Sequence, residues 1–246
     1  MSAPYVALVL MIKVEHHPAY ILHHRDYTDS RILIELFTRE HGRFTAALRM
    51  PKRKSPGVVR PQAFTPFVIN FSGKSGLKNL THYEQVSPQL LAKGVKLFCG
   101  LYVNELLQRL LATDDANINL FDAYGLCLSR LALAESGEED IALRQFEFYL
   151  IEELGYAVNF TEDVVGKPIV DGSKIHYRYD HGFRPVVVEA TAPAAQSDVF
   201  TASEIVLIGN QSWSSPPTRA AAKRLARIAL ANLLGGKPLQ SRELFR

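Results

Sequence analysis

The sequence contains few cysteines. Only Cys99 and Cys127 occur among the 246 residues, and they lie 28 positions apart in apolar surroundings. This spacing provides neither a disulfide framework nor the paired thiolates of a structural zinc site. Such sparse cysteine usage fits a reducing compartment such as the cytosol, and we expect both thiols to be buried.

Long apolar runs are missing from the start of the chain. The run YVALVLMI covers residues 5–12, has no cation before it and is followed by Lys13. A membrane-spanning helix needs about 20 apolar residues, and a signal peptide begins with a positively charged region. We therefore predict no membrane association, and we interpret the run as a strand or a tail.

Motifs of catalysis are also missing. The sequence has no GxxxxGK[ST], GxSxG or HExxH pattern, and the GKSG at 73–76 lacks the upstream glycine of a phosphate-binding loop. His23 and His24 are neighbours in a predicted strand, so their side chains would point to opposite faces and could not easily share a metal. We predict no catalytic residue, no metal and no cofactor.

Acidic side chains are absent from one long stretch. Residues 41–83 contain no Asp or Glu but carry eight cations. Residues 219–246 carry seven cations and one acid, whereas residues 113–163 carry twelve acids and two cations. Two basic regions on one chain favour a polyanionic partner, although ordinary solvated surface charge would give the same composition.

Five short segments rich in β-branched and aromatic residues occupy the first third of the chain. Turn-forming residues separate them, and they cover 19–24, 32–37, 44–48, 67–71 and about 78–84. Five strands of this length predict a small barrel of the OB type, which binds oligonucleotides on its face and loops. The basic stretch RMPKRKSPGVVR at 49–60 is then predicted to be a loop beside that binding face.

Helical periodicity follows residue 88. In GLYVNELLQRLL at 100–111, apolar residues recur at the spacing of one helical face. Other helices are predicted at 118–134, 139–154, 202–209 and from a Thr218 cap to Leu234, with strand-like segments at 175–179 and 185–190. The predicted fold is α+β, with an OB domain at 1–85 and a helical domain at 86–246. A small irregular β insertion without zinc ligands lies at about 156–200 of the helical domain.

Several stretches resemble the RecO family of bacterial DNA-repair and recombination mediators. They are GLYVNELLQRLL, ALRQFEFYLIEELGYAVNFT at 142–161 and LGGKPLQSRELFR at 234–246, together with 19–44 and 62–80 in the N-terminal part. The resemblance implies a cytoplasmic, nucleoid-associated protein that is not an enzyme. It implies that the protein binds single- and double-stranded DNA and anneals complementary strands. It also implies that the protein acts together with RecR to load RecA onto strands coated by single-strand-binding protein.

The sequence departs from the family pattern at two places. Many members carry paired cysteines after the LGY stretch, but residues 155–182 contain none here, so we predict no zinc. In LRMPKRK, Pro51 stands where the family often has a glycine, so the local backbone is expected to differ.

The cations of both basic regions are the predicted DNA contacts. In the first region, Phe44, Phe64, Phe67 and Tyr83 are candidate platforms for base stacking, unless they belong to the core. In the second, a cationic stripe along one helix is either a DNA surface or a solubilising face. The predicted DNA-binding residues are Arg43, Arg49, Lys52, Arg53, Lys54, Arg60, Lys74, Lys78, Arg219, Lys223, Arg224, Arg227, Lys237 and Arg242.

A partner-peptide site is predicted on the third helix. Arg144 lies between Ile141 and Phe148 on the helical surface, a combination suited to a peptide that ends in an apolar residue and a carboxylate. The resemblance supplies the acidic, phenylalanine-ending tail of single-strand-binding protein as its ligand. The alternative is an intrahelical surface pair of Arg144 with Asp140 or Glu147.

Two other functions are compatible with parts of this pattern. A basic OB barrel alone would also suit an RNA-binding module, but the acidic helical middle and the LGGKPLQSRELF ending argue against it. A metal-dependent nuclease would need carboxylates beside the basic surface, and the basic window has none.

Overall fold

The computed structural model describes residues 12–50, 60–73, 76–180, 183–188 and 198–245. These residues form two compact units. The first contains the described residues up to Ala92 together with Asn104–Asp122. The second contains Lys93–Val103 and the described residues from Ala123 onwards.

A closed five-stranded barrel forms most of the first unit. Its strands are β1 (Ile12–Thr28), β2 (Arg31–Thr38), β3 (Gly42–Arg49), β4 (Pro66–Gly73) and β5 (Lys78–Gln85). They close in the order β1-β2-β3-β5-β4, and only the β3–β5 pair is parallel among these neighbours. The predicted OB-type barrel is thus confirmed.

Alternation along the strands fills the barrel. Every second residue of β2 points inward, as Ile32, Ile34 and Leu36 do, and β3 and β4 contribute in the same way to one buried cluster. Strand β2 also buries Leu33 and Phe37. This explains why the strand is almost continuously apolar, since both of its faces are covered.

Residues 104–122 cover the outside of the barrel. They comprise the end of α1 (Gly94–Leu110), a loop and the first turn of α2 (Ile118–Leu133). Phe121 packs on Phe37 with 5.5 Å between ring centroids, and Asn104 donates a hydrogen bond of 2.8 Å to the Leu22 carbonyl. The strand and helix patterns alone do not place this segment with the barrel.

The second unit combines helices with a small antiparallel sheet. After α3 (Glu139–Glu153), strands β6 (His176–Asp180), β7 (Arg184–Val188) and β8 (Val199–Thr201) form a sheet of order β7-β6-β8. Helices α4 (Ala202–Gly209) and α5 (Pro216–Leu233) follow, and a 3₁₀ helix spans Gln240–Phe245. Tyr177, Phe200, Ile205 and Leu225 belong to the core shared by this sheet and these helices.

Most helix ends agree with their predicted signals, but one does not. Gly155 follows α3 with φ +84°, and Gly235 follows α5 with φ +60°, as expected of left-handed caps. The predicted Thr218 cap is wrong, because α5 begins at Pro216 after Ser215 and Thr218 is buried inside the first turn. The fixed φ of proline suits the first helical position, so the Pro216–Pro217 pair starts the helix earlier.

Both thiols are buried, as predicted. Burial raises the pKa of the Cys99 thiol to about 12 and also raises that of Cys127, so neither forms a thiolate readily. Within the described ranges, no helix has the length and apolar character needed to cross a membrane.

Gly42 supports a close approach between the barrel and the loop of residues 111–117. Its φ is +63°, and an added Cβ would lie 2.0 Å from the Asp115 carbonyl oxygen. Gly76 also has a positive φ, of +89°, but a Cβ there would meet no described atom within 4 Å. We expect Gly42→Ala to lower the free energy of unfolding by roughly 1–3 kcal/mol more than Gly76→Ala, measured by urea denaturation. Equal losses would show that the contact with Asp115 relaxes without cost.

Candidate functional site

Two arginines face each other at one end of the barrel. Arg31 begins β2, Arg49 ends β3, and the register pairs them directly across the two strands. Both side chains are exposed, and neither forms an ion pair with any residue that the structure describes. Like charges directly opposite each other destabilise a sheet, so this pair favours an anionic ligand. Arg31 was not among the predicted contacts, because its pairing with Arg49 is visible only in the register.

An open cavity of about 450 Å³ adjoins these arginines. Arg31, Arg60 and Met50 line it together with residues 26–30 of the β1–β2 hairpin. Arg60 lies 3.5 Å from Asp26, but both side chains are exposed, so the pair contributes little to stability. We call Arg31, Arg49 and Arg60 the arginine cluster.

The predicted basic loop begins and ends beside this cavity. Met50 and Arg60 flank residues 51–59, and both line the cavity. The predicted contacts Lys52, Arg53 and Lys54 lie outside the described residues, as does Lys74. Their roles therefore remain predictions.

Two other predicted DNA contacts are engaged inside the first unit. Arg43 forms an ion pair with Glu35 and donates a hydrogen bond of 2.8 Å to the Leu111 carbonyl. Lys78 is buried and paired with Asp114, and its ammonium group lies 4.4 Å from the centre of the Phe44 ring. These cations hold residues 104–122 on the barrel, so we remove both from the predicted DNA surface.

The proposed stacking platforms are mostly core residues. Phe44, Phe64 and Phe67 are buried, so for these three the stacking hypothesis is wrong. Tyr83 is half-buried, and partial burial raises the pKa of its hydroxyl. Whether a strand residue faces the core depends on the register of the strand, and the residue type alone does not reveal that register.

The second unit contains a cavity of about 330 Å³ with four cations in its lining. The cations come from three elements: Arg144 from α3, Lys223 and Arg227 from α5, and Arg242 from the 3₁₀ helix. Apolar and weakly polar groups form the rest of the wall, with two acids at one side. These other lining residues are Val95, Cys99, Tyr102, Gly137, Glu139, Asp140, Leu143 and Phe245. We call this space the cationic cavity.

A buried carboxylate holds Arg144 in place. The Arg144 Nη2 donates to Glu147 Oε1 at 2.7 Å, and the Tyr102 hydroxyl donates to the same oxygen at 2.5 Å. Glu147 is fully buried, which raises the pKa of its carboxyl, although Arg144 and Tyr102 act in the opposite direction. The alternative prediction of a pair within α3 is thus confirmed for Arg144 and Glu147, but the pair is buried and not on the surface.

Like charges crowd the mouth of the cationic cavity. Burial lowers the pKa of the Lys223 amine, and the charges of Arg227 and Arg144 lower it further. Asp140 lines the cavity, but one of its oxygens lies 3.3 Å from Arg219 Nε and is thereby partly neutralised. A bound anion would relieve this repulsion.

The predicted cationic stripe on α5 is not one continuous exposed face. Arg219 pairs with Asp140 and donates to the Trp213 carbonyl at 2.8 Å. Arg224 lies 3.3 Å from Glu204, and its guanidinium covers the Phe200 ring. These two cations fasten α5 to its own unit, so we remove them from the predicted DNA surface. Lys223, Arg227 and Lys237 are exposed.

Ile141 and Phe148 do not accompany Arg144. Both are partly buried against the core of the small sheet, and neither lines the cationic cavity. Phe148 packs edge-on against Phe160, with 5.6 Å between ring centroids. The structure thus separates the predicted apolar contacts from the guanidinium, because the two flanks of α3 pack against different neighbours.

Comparisons with known proteins agree over the whole chain. The family model "Recombination protein O N terminal" matches residues 11–89, and "Recombination protein O C terminal" matches residues 91–243. The chain belongs to the RecO family. A protein of Stutzerimonas stutzeri named DNA repair protein RecO is 40% identical over 247 residues, covering 100% of this chain and 96% of that protein. A protein of the same name from Actinobacillus succinogenes is 39% identical, covering 92% of this chain and 93% of that protein.

The family gives the chain a role in DNA repair and recombination. The resemblance implied paired cysteines in the insertion of many family members, but the residues of this insertion do not fit a zinc ion. Residues 155–182 contain no cysteine, and no group of three metal-ligating side chains occurs in the described ranges. In place of a metal, this part of the second unit contains Tyr177 and Tyr179 in a hydrophobic core.

The Arg144–Glu147 pair gives a test of stability. Glu147→Ala should lower the free energy of unfolding by roughly 3–5 kcal/mol, because it leaves the Arg144 charge buried and unpaired. The double change Arg144→Met with Glu147→Leu should recover most of this loss, since it removes both charges. Chemical denaturation measures the free energy of unfolding of both variants. If the double variant is as unstable as Glu147→Ala, packing and not charge accounts for the loss.

Proposed function

We propose that this RecO-family protein is a non-catalytic recombination mediator. It binds single- and double-stranded DNA, anneals complementary strands, and acts with RecR to load RecA onto DNA coated by single-strand-binding protein. The observation that carries the proposal is the cross-strand pair Arg31–Arg49. Neither arginine forms an ion pair with a described residue, and Arg49 belongs to the acid-free stretch at 41–83. The family membership supports the same conclusion.

DNA binding by the first unit is proposed to depend on phosphate contacts. Arg49 and Arg60 of the arginine cluster lie near the two ends of the basic stretch at 49–60 in the sequence, whose other cations are also predicted contacts. Guanidinium groups bind phosphate in a bidentate way and release counterions from the DNA. Since phosphate contacts carry no sequence information, we expect little preference for base sequence.

Annealing needs the repulsion between two phosphate backbones to be reduced. The arginine cluster and the basic segment would neutralise one strand, and the exposed cations Lys223 and Arg227 of α5 would contact a second. Lys223 and Arg227 also line the cationic cavity, whose wall is partly apolar. This apolar wall favours a peptide over a DNA backbone at the cavity itself.

The cationic cavity is the proposed site for the tail of single-strand-binding protein. A terminal carboxylate would meet Lys223, Arg227 or Arg242, and a terminal phenyl ring would contact Val95, Leu143 and Phe245. Preceding acidic residues of the tail would be attracted by the same positive potential. Arg144 also lines the cavity, where the Glu147 carboxylate fixes its position and compensates its charge.

The arginine cluster gives a test of DNA binding. Changing both Arg31 and Arg49 to Ala should weaken binding to single strands of any sequence. It should also flatten the dependence of log K on log[salt] by about 1.4, or 0.7 for each lost phosphate contact. Fluorescence anisotropy at several salt concentrations measures this slope, and changing Lys52, Arg53 and Lys54 together should flatten it as well.

Arg39→Ala is the matched control for this test. It removes one cation from the same unit, but Arg39 is engaged by both carboxylate oxygens of Asp122, at 3.1 and 3.0 Å. Its salt slope should remain that of the parent protein. An unchanged slope in the Arg31/Arg49 variant would place the DNA elsewhere, and preference for an RNA competitor over DNA would favour the RNA-binding alternative.

The cationic cavity gives a separate test with a labelled acidic peptide ending in phenylalanine. Lys223→Ala combined with Arg227→Ala should lower peptide affinity at least tenfold, because charge-assisted hydrogen bonds are lost. A peptide with an amidated C-terminus should bind the parent protein about as weakly as the free-acid peptide binds this double variant. Lys237→Ala, on an exposed cation outside the cavity, is the control and should leave affinity unchanged. Equal affinity for the free and amidated peptides would exclude carboxylate recognition.

A further inference from the structure

Helix α3 lines two cavities of opposite electrostatic character. Asp140, Leu143 and Arg144 contribute to the cationic cavity. Gln145, Phe148, Tyr149 and Glu152 recur at the spacing of one helical face and line a second cavity of about 290 Å³. We call this second space the aromatic groove.

Four aromatic side chains contribute to the aromatic groove. They are Phe148 and Tyr149 of α3, Phe160 of the insertion, and Trp213, which precedes α5. Phe160 lies directly over Gly209, where an added Cβ would be 2.6 Å from the Phe160 Cβ. The absence of a side chain at Gly209 therefore lets this ring occupy its place in the wall.

The polar groups of the aromatic groove suit a cation better than an anion. No Lys or Arg is among its lining residues, whereas the exposed carboxylate Glu152 is. Arg130 does not line the groove, and its guanidinium donates a hydrogen bond of 2.6 Å to Oε1 of the lining residue Gln145. The buried Trp213 Nε1 finds no acceptor among the described residues, and Trp213 belongs to the lining of the groove.

We propose that the aromatic groove binds an arginine or lysine side chain presented by a partner protein. Aromatic faces attract a cation, and the Glu152 carboxylate supplies a direct ion pair. This site differs from the cationic cavity in its lining residues and in the charge of its ligand, so it goes beyond the function proposed above.

The only tryptophan of the chain is a built-in reporter of this groove. Titration with the capped peptide acetyl-Gly-Arg-Gly-amide should change Trp213 fluorescence in a saturable way, with a Kd of about 1–10 mM for a single side chain. The matched peptide with citrulline keeps the shape of arginine but lacks its charge, and should bind at least threefold more weakly. Glu152→Gln should reduce affinity for the arginine peptide to a similar extent.

Glu135→Gln is the control variant, because it removes one exposed carboxylate that lines neither cavity. It should bind the arginine peptide as the parent protein does. Equal binding of the arginine and citrulline peptides would overturn the proposal, as would full affinity in Glu152→Gln. A saturable response to thymidine monophosphate but not to the arginine peptide would also overturn it, since the groove would then recognise a base.

Discussion

The buried Glu147 carboxylate is the group on which the geometry of the cationic cavity depends. Tyr102 of α1 and Arg144 of α3 both donate to one of its oxygens, so it joins two helices and fixes a guanidinium at the cavity floor. Burial of a charge is tolerated only when such partners are present. Because Glu147 compensates its charge, Arg144 lines the cavity in a fixed position, and Lys223, Arg227 and Arg242 supply the net positive charge.

Cations of this chain fall into two groups that composition cannot separate. Arg43, Lys78, Arg219 and Arg224 are paired within their own units, whereas Arg31, Arg49 and Lys237 are exposed. The difference lies in partners that are distant along the chain. Lys78 finds Asp114, and Arg219 finds Asp140, so a window without acids still obtains its carboxylates from elsewhere. A charge count therefore overestimates the anion-binding surface.

The sequence was sufficient for the elements whose signal is local. Segments rich in β-branched and aromatic residues between turn-forming residues located all five barrel strands, and apolar periodicity located α1. It did not locate β8, which has only three residues, or the attachment of residues 104–122 to the barrel. Both depend on contacts over long sequence separations, such as the pairing of Tyr177 with Phe200, which no periodicity encodes.

The candidate sites were less predictable than the fold for a related reason. The predicted contact Arg144 lines the cationic cavity, but the apolar residues beside it there are Val95, Leu143 and Phe245, from three separate elements. Spacing along one helix could suggest only Ile141 and Phe148, which pack on the other core. The family resemblance supplied the type of ligand but not these residues, because it was carried by contiguous motifs.

Helix α3 shows how one element can contribute to two separate cavities. Its central residues Phe146 and Leu150 are buried, and this apolar spine anchors it within the second unit. The flanks on either side are then available for function, one carrying Arg144 and the other Glu152. A buried ion pair such as Arg144–Glu147 is weak support for stability compared with apolar residues of similar volume. Its contribution is better understood as positional, since it fixes a guanidinium on one flank while the other flank carries the Glu152 carboxylate.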